Sequence, residues 1–478
     1  MDKNFKNKLP GITESARLDV VSPWDFKNIG TVPCINAEAA EQVLATAFAV
    51  FEDKSRWLSV QKREQILIKT AEIMQQEFEQ LAQLAASEGG KPLLDSRVEV
   101  ARAIDGVKNA VELLRSEAGR EIPMNRNPAS ASRMAITRKE PVGVVMSVSA
   151  FNHPLNLIVH QVIPAVASGC PVIVKPAEDT PLSCFRLVEI LYEAGLAPEY
   201  CMAVMSENLD VASQLVTDSR IAFFSFIGSA KVGWMLRSKL AAGTRCALEH
   251  GGAAPVIVAE DADLDDILPL LAKGGFYHAG QVCVSVQRVY AHRSIAAEVA
   301  KCLADLGDKM KIGDPLLEST EIGPLIRSRE VERVSKWVDE AVEEGAELIS
   351  GGKQLSDSTY ACTVLLNPAD QSLVSTNEIF GPVICVYSYD EIDQAISAAN
   401  NVPFAFQAAV ATQNIDTAMY CYQQLNASAV MVNDHTAFRV DWMPFSGLKQ
   451  SGLGVGGIPY TFEDMQIEKM LIIRSQNL

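Results

Sequence analysis

The chain reads as an α/β protein with two parallel-sheet α/β lobes and a small β extension. Three observations predict this. From about residue 142 to 237, short apolar runs alternate with helical stretches, which is the pattern of βαβ units. The alternation restarts at Ala254 and continues to about 436. Segments 133–139 and 466–474 fit neither lobe and suit strands of an extension that pairs with another subunit. The length of 478 residues is too great for one ordinary core, so several domains are expected.

The elements follow in order. Ser59 is placed to cap a long helix through 86, stopped by Gly89-Gly90-Lys91-Pro92. Ile66, Ile68, Ala71, Ile73, Met74, Phe78 and Leu81 recur at helical spacing within it. A second helix, about 94–119, carries Arg102. In the first lobe the expected strands are 142–148, 171–175, 200–205 and 221–226. Helices are expected at about 154–168, from Pro181, near Val211 and from Ser229. The second lobe opens with strand 255–259. Helix 333–344 leads into a strand at 347, and strand 383–387 precedes helix 392–399. The turn at Glu249 falls at the junction of the two lobes.

Composition excludes several classes. The chain is 48% hydrophobic and 21% charged, which suits a packed globular protein rather than a disordered one. Its net charge of −17 argues against nucleic acid or an anionic membrane as partner. The N-terminus shows no secretory signal, and no run reaches the ~20 apolar residues of a membrane helix. Ten cysteines without Cys-x-x-Cys spacing indicate neither a zinc site nor a disulfide framework, and a reduced, cytoplasmic protein is expected. No histidine pattern suggests a metal, and His250 and His278 read as packing residues.

Chemistry concentrates at a few turns. Cys283 follows Gly280-Gln281-Val282, and Glu249 lies in Leu248-Glu249-His250-Gly251-Gly252, a nucleophile-and-base pattern. A thiol at such a turn can react, with its pKa lowered by helix-end dipoles, or it can be a buried inert cysteine. Asn152 ends the first strand and can donate to an oxyanion or simply form a turn before Pro154. Gly228-Ser229 through Gly233 can hold a pyrophosphate or serve as a plain helix cap. Lys175-Pro-Ala-Glu178 can grip ribose hydroxyls or be a solvated loop. Gly452-Leu-Gly454-Val-Gly-Gly457 matches Gly-x-Gly-x-x-Gly but has too little chain after it for a βαβ unit, so a flexible turn is expected.

Taken together, these segments resemble the aldehyde dehydrogenase superfamily over nearly the whole chain. Phe151-Asn152-His153-Pro154 is similar to its Trp/Phe-Asn-Phe-Pro segment. Phe226-Ile-Gly228-Ser229 through Gly233 resembles Phe-Thr-Gly-Ser-x-x-x-Gly, and Leu248 through Gly252 resembles Leu-Glu-Leu-Gly-Gly. Phe276 through Cys283 resembles Phe-x-x-x-Gly-Gln-x-Cys, and Asn377-Glu378-Ile379-Phe380-Gly381-Pro382 resembles Glu-Glu-Ile-Phe-Gly-Pro. Pro444 through Gly452 resembles Pro-Phe-Gly-Gly-x-Lys-x-Ser-Gly, with Ser446 in place of a glycine. His153 and His250 also depart from the family's usual apolar residues. His250, beside the base, is expected to shift the Glu249 pKa or its water access.

The resemblance implies a non-acylating enzyme using NAD, with NADP as an alternative. Its fold would be a Rossmann-like cofactor domain (1–123 and 142–250), a catalytic domain (251–462), and oligomerisation strands (124–141 and 463–478). Cys283 would be the nucleophile, Glu249 the base for water and Asn152 the oxyanion donor. Lys175, Glu178, Gly228, Ser229, Gly251, Glu378 and Phe380 would bind the cofactor. A homodimer or homotetramer is implied, with a small aldehyde as the partner molecule. The stretch 433–444 resembles the lactaldehyde, phosphonoacetaldehyde and non-phosphorylating glyceraldehyde-3-phosphate dehydrogenases. Arg439 and Arg102, with Phe151 and Phe445, would then line the substrate site, and two guanidiniums would suit an anionic group. Arg102 reads equally as a solvated helix residue. Val282 stands where the phosphonoacetaldehyde enzymes carry a further arginine. Three alternatives remain: a coenzyme-A-acylating relative, which would tend to lack Glu249; a non-catalytic member of the fold; and a cysteine hydrolase, which would need a His base near Cys283 and would leave the nucleotide motifs unexplained.

Overall fold

The computed structural model describes residues 3–6, 8, 9, 11, 12 and 14–478. The reading of the N-terminus as free of a signal rests partly on residues 1, 2 and 7, which lie outside the described residues.

A six-stranded sheet runs in the order Gly452–Leu453, Arg245–Glu249, Ile221–Ile227, Val144–Val148, Val172–Lys175 and Cys201–Ala203. All neighbours are parallel except the Gly452–Leu453 edge. Its strands read as unbroken apolar runs because both faces are covered. Val145, Val172, Val174 and Phe223 share a core with the helices Leu93–Ser116 and Asn156–Ser168. Val144, Met146, Ile173 and Phe224 pack on the other side against Ala37–Glu52 and Leu209–Thr217. The period-two alternation of the pleat separates the two sets.

A seven-stranded sheet runs in the order Glu347–Ser350, Thr363–Leu366, Val383–Tyr389, Val286–His292, Ala254–Val258, Gln407–Ala411 and Ala429–Val432. Only its first pair is antiparallel. The helices Leu264–Phe276, Ala296–Lys309 and Ser328–Glu343 cover it through one large core.

The third unit is a three-stranded antiparallel sheet: Gln466–Arg474, Arg133–Pro141 and Glu121–Ile122. The two segments expected to meet another subunit pair with each other, from Gln466 opposite Pro141 to Arg474 opposite Arg133. Ile467, Met470, Leu471, Ile472 and Ile473 of that sheet are exposed.

Two details differ from the expected elements. The first long helix is broken: Ser59 caps Val60–Gln76, and Phe78–Gly89 is a separate helix. The break falls at Glu77, whose carboxylate is gripped by Arg186 at 2.6 and 2.9 Å. The edge strand Gly452–Leu453 also joins the six-stranded sheet, although its sequence position falls within the segment assigned to the catalytic domain. Among the described residues no helix is long and apolar enough to cross a membrane. Nor does any group of three or more His, Cys, Asp or Glu side chains form a candidate metal site among them.

Candidate active site

Cys283 lies between the helix Leu264–Phe276 and the strand Val286–His292. The connecting turn is strained. His278 and Ala279 have φ of 49° and 54°, in the left-handed region that non-glycine residues avoid. Gly280 continues the turn at φ 71°, and a Cβ there would lie 2.0 Å from the Gly381 carbonyl. Gln281 braces the turn. Its Nε2 donates to the His278 and Pro324 carbonyls at 3.2 Å each, and its Oε1 accepts from the Ile326 amide at 3.0 Å.

Cys283 itself is half-buried against Val282, Val284, Phe406 and Phe445. Burial pushes its thiol up to about 12, while Arg439 pulls in the opposite direction. The expected lowering by helix-end dipoles is therefore not observed. Cys283 follows the C-terminal end of one helix and leads into a strand, so its own chain neighbours offer no helix N-terminus.

Glu249 ends the strand Arg245–Glu249. Burial raises its carboxyl above the ordinary range, opposed by Arg439. Its carboxylate rests on Gly456, where a Cβ would come within 2.1 Å of Oε1. The glycine-rich run 452–457 is thus not a flexible turn. Gly452 and Leu453 pair with Glu249 and Leu248, and Gly456 exchanges backbone hydrogen bonds with Phe445 at 2.7 and 3.0 Å. The six-stranded sheet supplies the base, and the Phe445–Gly456 bridge beyond its edge strand supplies the seat.

His250 turns away from the base. Its Nδ1 bonds the Gly228 carbonyl at 2.9 Å, and its ring packs against Phe226 and Trp234. Gly233 makes room for it, since a Cβ there would lie 2.0 Å from its Cε1. The groups acting on the Glu249 carboxyl are its burial and Arg439, not His250 as expected.

Asn152 is buried, and its Nδ2 donates to the Gln281 carbonyl at 2.9 Å. An amide nitrogen carries two hydrogens, so one N–H remains for a ligand. His153 beside it bonds Lys91 Nζ at 2.8 Å through its Nδ1. Lys91 pairs with Glu99 in the interior, and Glu99 Oε1 accepts from the Leu155 and Asn156 amides at the next helix start. Burial holds His153 and His278 well below the usual imidazole range, so both stay neutral.

A groove extends from this point. Lys175 Nζ pairs with Glu178 Oε1 at 2.7 Å. Gly228 precedes Ser229, which opens the helix Ala230–Arg237 without a side-chain capping bond. Glu378 is half-buried, its buried Oε1 has no partner, and desolvation pushes its carboxyl up to about 8. Gly251 is its cradle, because a Cβ there would lie 1.6 Å from Oε1. Phe380, at φ 49°, meets Phe151 edge-on at 5.8 Å. An orphaned carboxyl oxygen in a glycine cradle is what a ribose hydroxyl would satisfy, so these residues fit a dinucleotide.

Every residue singled out in the sequence as catalytic, cofactor-binding or substrate-binding lines one cavity of about 690 Å³. Arg439 lies flat over Phe445, 3.5 Å from the ring centroid. Arg102 is neither solvated nor free: it pairs with Asp441 at 2.8 and 3.0 Å. Sequence reasoning missed Gly456, Gln281, Asp441 and His160. Gly456 stood in a run set aside as a failed nucleotide fingerprint, Gln281 and Asp441 stood in quoted segments without a role of their own, and nothing local marked His160.

The profile of the "Aldehyde dehydrogenase family" matches residues 12–471. The 3-sulfolactaldehyde dehydrogenase of Priestia aryabhattai is 36% identical over 462 residues, covering 96% of each chain. Aldehyde dehydrogenase 21 from Physcomitrella patens, solved with its reaction product succinate, superposes with a TM-score of 0.94 at 32% identity. That match covers 99% of this chain and 98% of the other. Glyceraldehyde-3-phosphate dehydrogenase GapN from Methanocaldococcus jannaschii, complexed with NADP, gives a TM-score of 0.91 at 33% identity, covering 97% and 100%.

Proposed function

The chain belongs to the aldehyde dehydrogenase family, and on that footing we propose that it oxidises a short aldehyde to the carboxylic acid through a cysteine thiohemiacetal and thioester. One observation carries this reading. A single cavity gathers a thiol, a carboxylate and a half-used amide with an orphaned carboxyl oxygen in a glycine cradle.

Cys283 Sγ adds to the aldehyde carbon, and its proton passes to Glu249. The carbonyl oxygen, now negative, accepts from the second Nδ2–H of Asn152 and from the Cys283 backbone N–H. NAD or NADP, when bound, supplies the hydride acceptor for the oxidation to the thioester. Glu249, once it has passed that proton to solvent, takes a proton from the water that attacks the thioester and returns it to the Cys283 sulfur as the acid leaves. Lys175, Glu178, Gly228 and Ser229 would hold the adenosine side of the cofactor. Gly251, Glu378 and Phe380 would hold the nicotinamide ribose side. The carboxylate of Glu178 disfavours a 2′-phosphate, which makes NAD the preferred acceptor.

In this reading residues 1–123 and 142–250 form the cofactor domain and 251–462 the catalytic domain. Arg439 is half-buried over Phe445, and Phe151 and Phe445 line the same cavity. That environment supports a small aldehyde with an anionic or hydroxylated far end. The likeness to a 3-sulfolactaldehyde dehydrogenase and to a succinate-bound structure points the same way. The exposed apolar strand Gln466–Arg474 supports a homodimer or homotetramer. Ten free cysteines support a cytoplasmic location.

The test is a panel of neutral and anionic short aldehydes, followed by NADH formation and identification of the product. Wild type should release free acid without coenzyme A, and Cys283→Ala should form no NADH. NADH from Cys283→Ala, or a strict need for coenzyme A, would overturn the reading.

A further inference from the structure

A second polar cluster reaches the cavity wall from the segment 433–445. Its centre is Asp441, which is buried. Arg102, on the helix Leu93–Ser116, donates from Nη2 to Oδ1 at 2.8 Å and from Nε to Oδ2 at 3.0 Å. Asn156 Nδ2 donates to Oδ1 at 3.1 Å. His160 Nε2, from the same helix as Asn156, lies 2.6 Å from Oδ1. Burial opposes ionisation of Asp441, but the bonds from His160 and Arg102 outweigh it and hold the carboxyl far below its usual range.

The histidine carries this arrangement toward the cavity. Burial and the nearby Arg439 push His160 down to about 4, so the ring is neutral at working pH. With its one proton on Nε2, directed at Asp441, Nδ1 is left as a bare acceptor. Arg439 Nη2 donates to that nitrogen at 3.3 Å. His160 is the one side-chain hydrogen-bond partner of Arg439 among the described residues. Arg439 Nε is buried with no partner at all. Along the chain Arg102, Asp441, His160, Arg439 the charges therefore read plus, minus, neutral, plus. Both arginines line the one cavity; Arg102 is in ion-pair contact with Asp441, whereas Arg439 has no carboxylate in such contact among the described residues and feels Glu249 only through space.

We propose that Asp441 and His160 are specificity-determining positioning residues: they cancel Arg102 and hold Arg439 as a single free cation, so the site selects aldehydes with one negative charge. A carboxylate or sulfonate would place its oxygens on the unpartnered edge of Arg439. A phosphate or phosphonate, close to a dianion at working pH, would meet one guanidinium where it needs two. The inference rests on the proposed role of Arg439 and narrows it.

The experiment compares kcat/KM for neutral, carboxylated, sulfonated and phosphonylated aldehydes of matched length. Wild type should favour the monoanions over the phosphonate. Asp441→Asn releases Arg102, and the phosphonate-to-monoanion ratio should rise on the order of tenfold, the effect of one added charge on the order of 10 Å away at an effective dielectric near 20. A loss of packing alone would slow all substrates alike and leave that ratio unchanged, and an unchanged ratio overturns the proposal. If Asp441→Asn does not fold, Arg102→Gln decides instead. It leaves Asp441 uncompensated, and the monoanion-to-neutral ratio should fall roughly tenfold by the same reasoning; an unchanged ratio again overturns the proposal. Arg439→Ala separates the two levels. If it leaves the preference for anions intact, the anionic reading itself fails. If it erases that preference while Asp441→Asn changes nothing, only the roles of Asp441 and His160 fail.

Discussion

Gly456→Ala places a methyl group where the Glu249 carboxylate now lies. The new Cβ would sit 2.1 Å from Oε1, 2.7 Å from Cδ and 2.9 Å from the Phe445 carbonyl. An ordinary contact is about 3.5 Å, so the carboxylate must retreat by roughly 1.4 Å. The backbone gives little, because Gly456 and Phe445 exchange two hydrogen bonds. Misplacing a catalytic group by about 1 Å costs on the order of 10²-fold, or about 2.7 kcal/mol. Both proton transfers to Glu249 should slow, and thioester hydrolysis most, because there the base must also hold the attacking water. Stopped-flow absorbance of NADH separates the steps. A burst equal to the number of sites should be followed by a steady rate about 100-fold below wild type. A steady rate within about threefold of wild type would refute the seating of Glu249 on Gly456. Loss of the burst itself would place the main cost on the proton transfer from Cys283 and not on hydrolysis.

Three further outcomes are expected. Burial raises the Glu249 carboxyl, and only its ionised form can take a proton, so turnover should rise with pH through a limb above the ~4.3 of an ordinary glutamate; a limb at or below that value contradicts the assignment. Glu378→Gln should weaken NADH binding roughly fivefold in a fluorescence titration, the size of one ordinary hydrogen bond, since burial keeps the carboxyl largely protonated near neutral pH, whereas unchanged affinity would remove Glu378 from the cofactor site. Lys91→Met strips Glu99 of its buried partner and should destabilise the fold by about 3–5 kcal/mol. Thermal unfolding reads that loss directly, and an unchanged melting temperature would count against the pair.

What was legible in the sequence is what chemistry dictates locally. Cys283, Glu249 and Asn152 each sit at the end of a strand or turn beside glycine or proline, and that context marks them. Long-range pairing was not legible. Arg102 has helical neighbours that suggest a solvated face, yet its partner Asp441 lies 339 residues away. Gly456 is glycine because of the Glu249 carboxylate, which arrives from a strand distant in sequence, and no local pattern encodes that. The break at Glu77 has the same origin, a grip by Arg186 from outside the helix. The strand character of 133–139 and 466–474 was visible in their composition, whereas their mutual pairing depends on the folded chain. The thiol pKa was misread for a related reason. Burial is a property of the packed molecule, and it overrides what a turn would do alone.

Two roles converge on Arg439. With the Cys283 thiol near 12, roughly one part in 10⁵ is thiolate at neutral pH. A prior ionisation would therefore waste most encounters, and the proton is better lost as the sulfur–carbon bond forms, with Glu249 receiving it. Arg439 is the charged side chain that favours negative sulfur, while Glu378 and Glu249 oppose it. The same guanidinium would also hold the anionic end of the substrate. It can serve both only if Asp441 does not capture it. Asp441 is ionised and buried next to Arg439, and it would be the natural ion-pair partner were its oxygens open. Arg102, Asn156 and His160 occupy them instead. Arg102 thus acts at one remove: by saturating Asp441, it leaves Arg439 charged, unpaired and available to both the sulfur and the substrate.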